Sequence, residues 1–158
     1  MTADTIISRL HEQGRVRPSA PAYHEKIGDT WVPTSWREYV AQVRQAGRAL
    51  IALGVEPETN VAILGFNRPE WTIMLLATMT ANAAGAGIYT TNSPQEVQYI
   101  VNHAQSRVIL LENEEQWAKV NQVREELPEL RHVVMMRGAQ IDDPLVISWE
   151  TFMAKGEE

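Results

Sequence analysis

Short apolar segments alternate with amphipathic segments along most of this chain. Four apolar runs predict β-strands at residues 61–64, 86–89, 108–111 and 133–136. They start about 22–26 residues apart, the length that a strand, a crossover helix and the next parallel strand require. Strands that are apolar throughout indicate a sheet covered on both faces. The pattern therefore predicts an α/β fold with a parallel sheet in three layers, in a flavodoxin-like arrangement.

Polar residues suited to helix N-caps stand just before the predicted helices. They are Ser35, Asn67, Ser93 and Asn113. The first three are each followed three residues later by a glutamate, the spacing of a capping box. Gly54 is expected to end the first of these helices in a left-handed conformation. The helix after Asn113 is expected to run to about residue 127, just before a proline.

A smaller N-terminal unit is predicted to precede the sheet as a short helix and a β-hairpin. Residues 4–13 have the pattern of an amphipathic helix, and residues 22–35 have that of a hairpin turning at Gly28 and Asp29. Pro33 restricts the second hairpin strand to an edge position. The 158 residues are therefore expected to form three consecutive parts: a helix and hairpin at 1–33, a βαβ core at 34–137 and a tail at 138–158.

The composition excludes several classes of function. The chain has 14 Lys and Arg against 20 Asp and Glu, a net charge of -6, which argues against nucleic-acid binding because phosphate contacts need a clustered basic surface. It has no cysteine, so a disulfide framework, a thiolate metal site and a cysteine nucleophile are excluded. The N-terminal residues lack the basic-then-apolar order of a secretory signal, which favours a cytoplasmic protein.

One uncharged stretch has the length of a membrane span. No charged residue lies between Trp71 and Gln95, and a span needs about 20 mostly apolar residues. This stretch is rich in alanine, threonine, glycine and asparagine, which insert poorly into membranes. It is therefore interpreted as a buried helix followed by a buried strand, with no transmembrane segment.

Loops at the carboxyl ends of the strands are the expected ligand site of a doubly wound α/β sheet. Three loops are predicted to lie there: residues 65–68, 90–93 and 112–113. In the first loop, Arg68 adds a positive charge near a helix N-terminus, a combination suited to an anion. Helix caps are needed at every such junction, however. We therefore favour plain caps at Asn67 and Ser93 and a solvated charge at Arg68.

No established catalytic motif occurs in the sequence. The glycines of Gly85-Ala86-Gly87 precede a predicted strand rather than join a strand to a helix, so they do not form a dinucleotide fingerprint. The Gly-x-x-x-x-Gly-Lys-Ser/Thr loop, the Gly-x-Ser-x-Gly elbow and the His-Glu-x-x-His motif are absent. None of the four histidines has a spacing that suggests a metal site or a triad. The residues alone predict a fold and no catalytic constellation.

From Thr34 to Val120, the chain nevertheless resembles a known family. AMP-forming acyl-CoA synthetases, the adenylate-forming ligases, have a first recurring motif similar to TSWREYVAQVRQAGRALIALGVEPETNVAIL. Their next strand–helix–strand unit resembles GFNRPEWTIMLLATMTANAAGAGIYTTNSPQEVQYIV. The long-chain fatty-acid branch, including its bubblegum-like members, is most similar over GIYTTNSPQEVQYIVNHAQSRVILLENEEQ.

This resemblance implies a ligase that activates a fatty acid with ATP to an acyl-adenylate and pyrophosphate, and then forms acyl-CoA and AMP. ATP, Mg and CoA are therefore implied for the full-length enzyme. In this family the phosphate loop, the adenine and metal motif, the ribose-binding Asp and the catalytic Lys come later in the chain, and none of them occurs here. The resemblance thus implies an inactive N-terminal subdomain with no catalytic residue, metal ligand or cofactor of its own. Its partner would be the remainder of its own enzyme.

Two further expectations concern ligand contacts and location. If the chain touches the fatty acid, ATP or CoA in the whole enzyme, we expect the contacts to come from Asn67, Arg68, Tyr89 and Thr90 in the strand-end loops. The tail at 138–158 is expected to lead towards the phosphate loop. The enzyme is expected in the cytoplasm, either free or bound peripherally to a membrane.

The residues also bear on two alternatives to a ligase fragment. A receiver-type signalling module would share the fold, but it needs an acidic pair after its first strand and an aspartate after its third. Gly65-Phe66-Asn67 and Glu112-Asn113 stand at those places, which disfavours it. A non-catalytic α/β interaction or dimerisation module, including a homodimer, stays open.

Overall fold

The computed structural model describes residues 4–157. It begins with helix α1 (Ile6–Val16) and an antiparallel hairpin of β1 (Pro21–Ile27) and β2 (Thr30–Ser35). The hairpin turns at Gly28, whose φ of 59° is a conformation that glycine adopts freely. The predicted hairpin is confirmed. The first helix ends slightly later than the expected 4–13, and it begins later because the side chain of Thr5 caps it by accepting a hydrogen bond from the N–H of Ser8.

A five-stranded parallel sheet forms the centre of the fold. Its strands are β3 (Asn60–Leu64), β4 (Ala84–Ile88), β5 (Val108–Leu111), β6 (His132–Met135) and β7 (Val146–Ser148). Their spatial order is β4-β3-β5-β6-β7. Counted within the sheet, this is the 2-1-3-4-5 order of flavodoxin-like folds. The predicted fold class is confirmed.

Helices cover both faces of this sheet. They are α2 (Trp36–Ala52), α3 (Pro69–Thr80), α4 (Pro94–His103), α5 (Glu114–Gln122) and α6 (Trp149–Ala154). Alternate residues of each inner strand point to opposite faces. On one face, Ile63 and Leu110 are fully buried in a core shared with α2, α3 and α6. On the other face, Leu64 and Ile109 are fully buried against α4 and α5. Burial of these two apolar sets on folding is the main force that holds the three layers together.

The predicted helix caps hold for α2, α4 and α5. The carboxylate of Glu38 accepts a hydrogen bond of 2.8 Å from the backbone N–H of Ser35, which completes the capping box of α2. Ser93 forms the equivalent box at α4, and Asn113 caps α5 through its side-chain oxygen. Gly54 follows α2 with a φ of 82°. The expected end of α5 is wrong, because the helix stops at Gln122 and a short 3-10 turn (Arg124–Glu126) follows.

The start of α3 differs from the prediction. Asn67 does not cap this helix: Arg68 occupies the N-cap position without a side-chain cap bond, and Pro69 is the first helical residue. Glu70 does not reach back to form a capping box, because its fully buried side chain instead accepts hydrogen bonds from Arg68 and Arg137. A longer-range ion pair has replaced the local cap.

The uncharged stretch folds as a helix and a strand, but the strand is not buried as predicted. Within residues 4–157, no helix is long and apolar enough to cross a membrane. Gly85 and Gly87 lie inside β4 rather than before it. This strand lies at one edge of the sheet, and only Ile88 of its five residues is buried. A Cβ on Gly85 would overlap the tip of the Leu75 side chain of α3, which would have to move to admit it.

Candidate functional site

A cleft of about 390 Å³ opens at the carboxyl ends of β3 and β4. Gly65 and Gly87 form part of its wall, and Trp71 lies beside them. Two aromatic side chains stand at the cleft and face solvent: Phe66 is 66% exposed and Tyr89 is 81% exposed. Large exposed aromatic side chains grouped beside a concave surface are typical of binding sites.

Backbone packing shapes the floor of this cleft. A Cβ on Gly65 would lie 2.8 Å from Cβ of Glu112 and 2.9 Å from Cε of Met136. A side chain at Gly65 therefore does not fit without movement of its neighbours. A Cβ on Gly87 would meet only Trp71, at an ordinary 3.5 Å. Close packing thus requires glycine at Gly65 but not at Gly87.

Three of the four residues predicted to contact a ligand lie together at the cleft. Asn67, Tyr89 and Thr90 all line it. Arg68 does not line it, because its Nη2 donates to Oε1 of Glu70 at 3.1 Å and to the carbonyl oxygen of Arg137 at 2.9 Å. The favoured interpretations of Asn67 as a plain cap and of Arg68 as a merely solvated charge are both wrong. Ser93 is the helix cap that was expected.

A lysine that the sequence did not single out holds the Thr90 side of the cleft. Nζ of Lys119, on α5, donates a hydrogen bond of 2.5 Å to the carbonyl oxygen of Thr90. The carbonyl oxygen of Tyr89 accepts from the N–H of Asn92 at 3.1 Å, which closes a turn in the same loop. No local pattern connects Lys119 with Thr90, since 29 residues separate them.

Glu112 joins the loops that follow β3 and β5. Its carboxylate accepts a hydrogen bond of 2.9 Å from the N–H of Phe66. Its own N–H donates to the carbonyl oxygen of Leu64 at 3.1 Å. The order of the strands reverses between β3 and β5, the place where doubly wound sheets bind ligands. In this chain Glu112 connects the ends of β3 and β5 at this point, and the cleft lies on the other side of β3, between β3 and β4.

An ionic cluster of Glu25, Arg68, Glu70 and Arg137 is centred on the buried carboxylate of Glu70, next to the loop that carries Asn67. Oε1 of Glu70 accepts from Nε of Arg137 at 2.7 Å, while Nη2 of Arg137 donates to Glu25 at 2.9 Å. Burial acts to raise the pKa of Glu70, but the hydrogen bond from Arg137 and the two positive charges outweigh it and lower this pKa. The hydrogen bond to Glu70 and the negative charge of Glu70 in turn raise the pKa of Arg137. The cluster connects the hairpin, the start of α3 and the end of β6.

The donor set of the cleft suits binding rather than catalysis or metal coordination. Its lining offers the Asn67 amide, the Thr90 hydroxyl and aromatic surface, and it contains no carboxylate or imidazole. In the part of the chain that the structure describes, no group of His, Asp and Glu side chains could hold a metal ion. Mg²⁺ prefers carboxylate and water oxygens. The described residues therefore do not fit the magnesium ion that the family resemblance implies.

Comparison with known proteins gives the family. Residues 10–156 match the family model described as AMP-binding enzyme. The long-chain-fatty-acid--CoA ligase ACSBG2 of Xenopus laevis is 34% identical over 138 residues, covering 87% of this chain and 19% of that protein. The human ACSBG2 ligase is 34% identical over 137 residues, covering 86% of this chain and 21% of that protein. The chain thus spans about a fifth of the length of these curated relatives.

A solved structure supports the same fold. The anthranilate CoA ligase AuaEII in complex with anthranoyl-AMP superposes with a TM-score of 0.82 at 24% identity, over 94% of this chain and 27% of that one. The family match and the ACSBG2 relatives confirm the resemblance to adenylate-forming ligases of the long-chain, bubblegum-like branch. The chain belongs to the AMP-binding enzyme family, and the curated relatives that it matches are long-chain-fatty-acid--CoA ligases.

Proposed function

We propose that this chain is the N-terminal part of an AMP-forming long-chain fatty-acid–CoA ligase. The complete enzyme would convert ATP, a fatty acid and CoA to acyl-CoA, AMP and pyrophosphate. The observation that carries this proposal is the family match over residues 10–156. It is supported by the 34% identity to a relative named as a long-chain-fatty-acid--CoA ligase. The remainder of the same enzyme would be the chain's partner, in the cytoplasm or at a membrane surface.

The 158 residues would act as a scaffold without chemistry of their own. Transfer at the ATP phosphate needs backbone amides, a metal ion and a cation arranged around the reacting group. The cleft does not supply this arrangement, since its lining contains no cationic side chain and no carboxylate that could hold a metal ion. The division into 1–33, 34–137 and 138–158 is part of the proposal, with the tail leading towards the phosphate loop.

Within the complete enzyme, the cleft would form one wall of a ligand site. Asn67, Tyr89 and Thr90 would touch the ligand, because they line the cleft and expose polar or aromatic atoms. Arg68 would act indirectly, since its bonds to Glu70 and Arg137 fix the loop that carries Asn67. This amends the expectation that all four residues contact ligand directly.

The proposal is tested on the complete protein encoded by the reading frame that contains these residues. We expect pyrophosphate release that requires both ATP and a long-chain fatty acid, and acyl-CoA formation when CoA is added. Folded protein that releases no fatty-acid-dependent pyrophosphate across a series of chain lengths would contradict it.

A matched pair of variants tests the cleft. Tyr89→Ala should raise the KM of at least one substrate about tenfold, as expected when an aromatic contact is lost from a binding site. Tyr99→Ala is the control, because Tyr99 is also exposed, at 66%, but lies on α4 outside the cleft. Equal KM values in both variants would remove Tyr89 from the ligand site.

A further inference from the structure

A small cavity lies where the hairpin packs against α2 and α3. Its volume is about 130 Å³, and it shares no lining residue with the cleft. Polar side chains dominate its wall: Tyr23 and Thr34 come from the hairpin, Gln42 from α2 and Glu70 from α3. Apolar side chains, among them the buried Ile73, close the remaining side. Polar groups enclosed in this way need hydrogen-bond partners, because burial without them is costly.

One carboxylate oxygen of Glu70 lacks such a partner among residues 4–157. Oε1 accepts hydrogen bonds from Arg68 and Arg137, at 3.1 Å and 2.7 Å. Oε2 is buried and accepts none from the described residues. Burial acts to raise the pKa of Glu70, but the Arg137 hydrogen bond and the two arginine charges outweigh it, so the carboxylate is ionised at neutral pH. An ionised carboxylate only accepts hydrogen bonds, so Oε2 needs a donor.

Charge and size restrict what this donor can be. The two negative charges of Glu25 and Glu70 are balanced by the two positive charges of Arg68 and Arg137. An additional ion would therefore leave the cluster with an unbalanced charge. The cavity of about 130 Å³ is also smaller than the roughly 300–1,000 Å³ of ordinary ligand pockets. It has room for about four water molecules, at about 30 Å³ each. Water is neutral, small enough and a donor.

The other polar side chains of the cavity can hold such a water. The hydroxyl of Tyr23 donates to Oε1 of Gln42 at 3.1 Å, and its oxygen can still accept a hydrogen bond. The amide nitrogen of Gln42 and the hydroxyl of Thr34 can donate. A buried water typically makes about three hydrogen bonds to polar groups. Together with Oε2 of Glu70, these side chains supply that number.

We infer that this cavity is an internal hydration site, in which ordered water donates a hydrogen bond to Oε2 of Glu70 and bonds to Tyr23, Thr34 and Gln42. The water links the hairpin and α2 to the first turn of α3. The inference goes beyond the proposed function, because it does not depend on any substrate of the enzyme.

A high-resolution crystal structure of the 158-residue chain tests the site directly. We expect an ordered water within about 3.0 Å of Oε2 of Glu70 that also bonds to Tyr23, Thr34 or Gln42. Two results would overturn the inference: an Oε2 atom bonded to a protein donor instead, or no ordered water within this distance.

A matched pair of variants on α2 tests the site in solution. Oxygen-17 relaxation dispersion of water counts the water molecules that stay bound inside a protein. Gln42→Met replaces a polar wall of the cavity with an apolar side chain and should lose at least one long-lived water. Gln45→Met is the control, because Gln45 does not line the cavity and bonds to the carbonyl oxygen of Met153. Equal numbers of long-lived waters in the two variants would overturn the inference.

A second substitution keeps the solution test decisive if Gln42→Met fails to fold. Thr34→Val replaces the hydroxyl group with a methyl group of similar size. It should also lose at least one long-lived water, because one of the groups that hold the water is gone. An unchanged number of long-lived waters in folded Thr34→Val would contradict the inference.

Discussion

Nε of Arg137 donates a hydrogen bond of 2.7 Å to Oε1 of Glu70, a carboxylate with no solvent exposure. The two residues lie 67 positions apart in the chain. Their contact fixes the end of β6 against the start of α3, directly behind the loop that carries Asn67. The position of the Asn67 loop at the cleft therefore depends on this ion pair as well as on the strands.

Glu70→Gln should destabilise the fold by about 2–3 kcal/mol, less than the roughly 3–5 kcal/mol lost when a fully buried pair is broken, because Arg137 is partly exposed. Urea unfolding measures this change. Glu25→Gln is the matched control, since it breaks the outer bond of the same arginine, where the two side chains are 25% and 41% exposed. It should lose less than about 1 kcal/mol. Equal losses would contradict a special role for Glu70.

The contribution of Glu70 to stability should depend on pH. Its pKa in the folded chain lies below the ordinary 4.5 because the Arg137 hydrogen bond and nearby positive charges outweigh the raising effect of burial. A lowered pKa means that the stabilisation is fully present above about pH 4.5 and is lost as the pH falls through the folded-state pKa. The stability difference between wild type and Glu70→Gln should therefore shrink below about pH 4.5. Urea unfolding at a series of pH values checks this, and a constant difference would refute it.

Gly85→Ala should destabilise the chain by about 1–3 kcal/mol, because the added methyl group overlaps Leu75 of α3. Gly87→Ala is the control, with only an ordinary contact to Trp71, and should change stability by less than about 0.5 kcal/mol. In a Leu75→Ala background, Gly85→Ala should cost less stability than it does in the wild-type chain, because the overlapping side chain is gone. Thermal and urea unfolding of these variants measure it, and the absence of any recovery would show that the two residues do not interact.

Lys119→Met should loosen the loop on the Thr90 side of the cleft by removing the hydrogen bond to the Thr90 carbonyl oxygen. We expect a loss of about 1 kcal/mol, the usual net value of one such bond. Faster hydrogen exchange at residues 89–92 would accompany it. Lys26→Met, at an exposed position of the hairpin, is the control. Unchanged exchange at residues 89–92 would show that Lys119 does not hold this loop.

Much of the fold could be predicted because its signals are local. The apolar runs around Val61 and Val108 gave strands, and the Ser35 and Ser93 capping boxes gave helix starts, since each depends on residues a few positions apart. The parallel three-layer arrangement followed from the regular strand spacing, since each interval has room for one crossover helix. The edge position of β4 did not, because a strand without charges looks the same whether it is central or outermost.

The candidate site was only partly predictable. Asn67, Tyr89 and Thr90 could be placed near each other because the carboxyl ends of adjacent parallel strands meet at one edge of the sheet. Arg68 does not line the cleft, because it bonds to Glu70 and to the carbonyl oxygen of Arg137, contacts that no local pattern reveals. The spacing of Glu70 fits a capping box equally well. Only the tertiary contact with Arg137 distinguishes the two roles.

The most direct test of the account uses the 158-residue chain alone. Purified protein is incubated with ATP, Mg²⁺ and a long-chain fatty acid, and pyrophosphate release is measured against a blank without fatty acid. A scaffold that shapes one wall of a ligand site and carries no chemistry should give no release above that blank. Release that depends on the fatty acid and disappears with heat-denatured chain would contradict it.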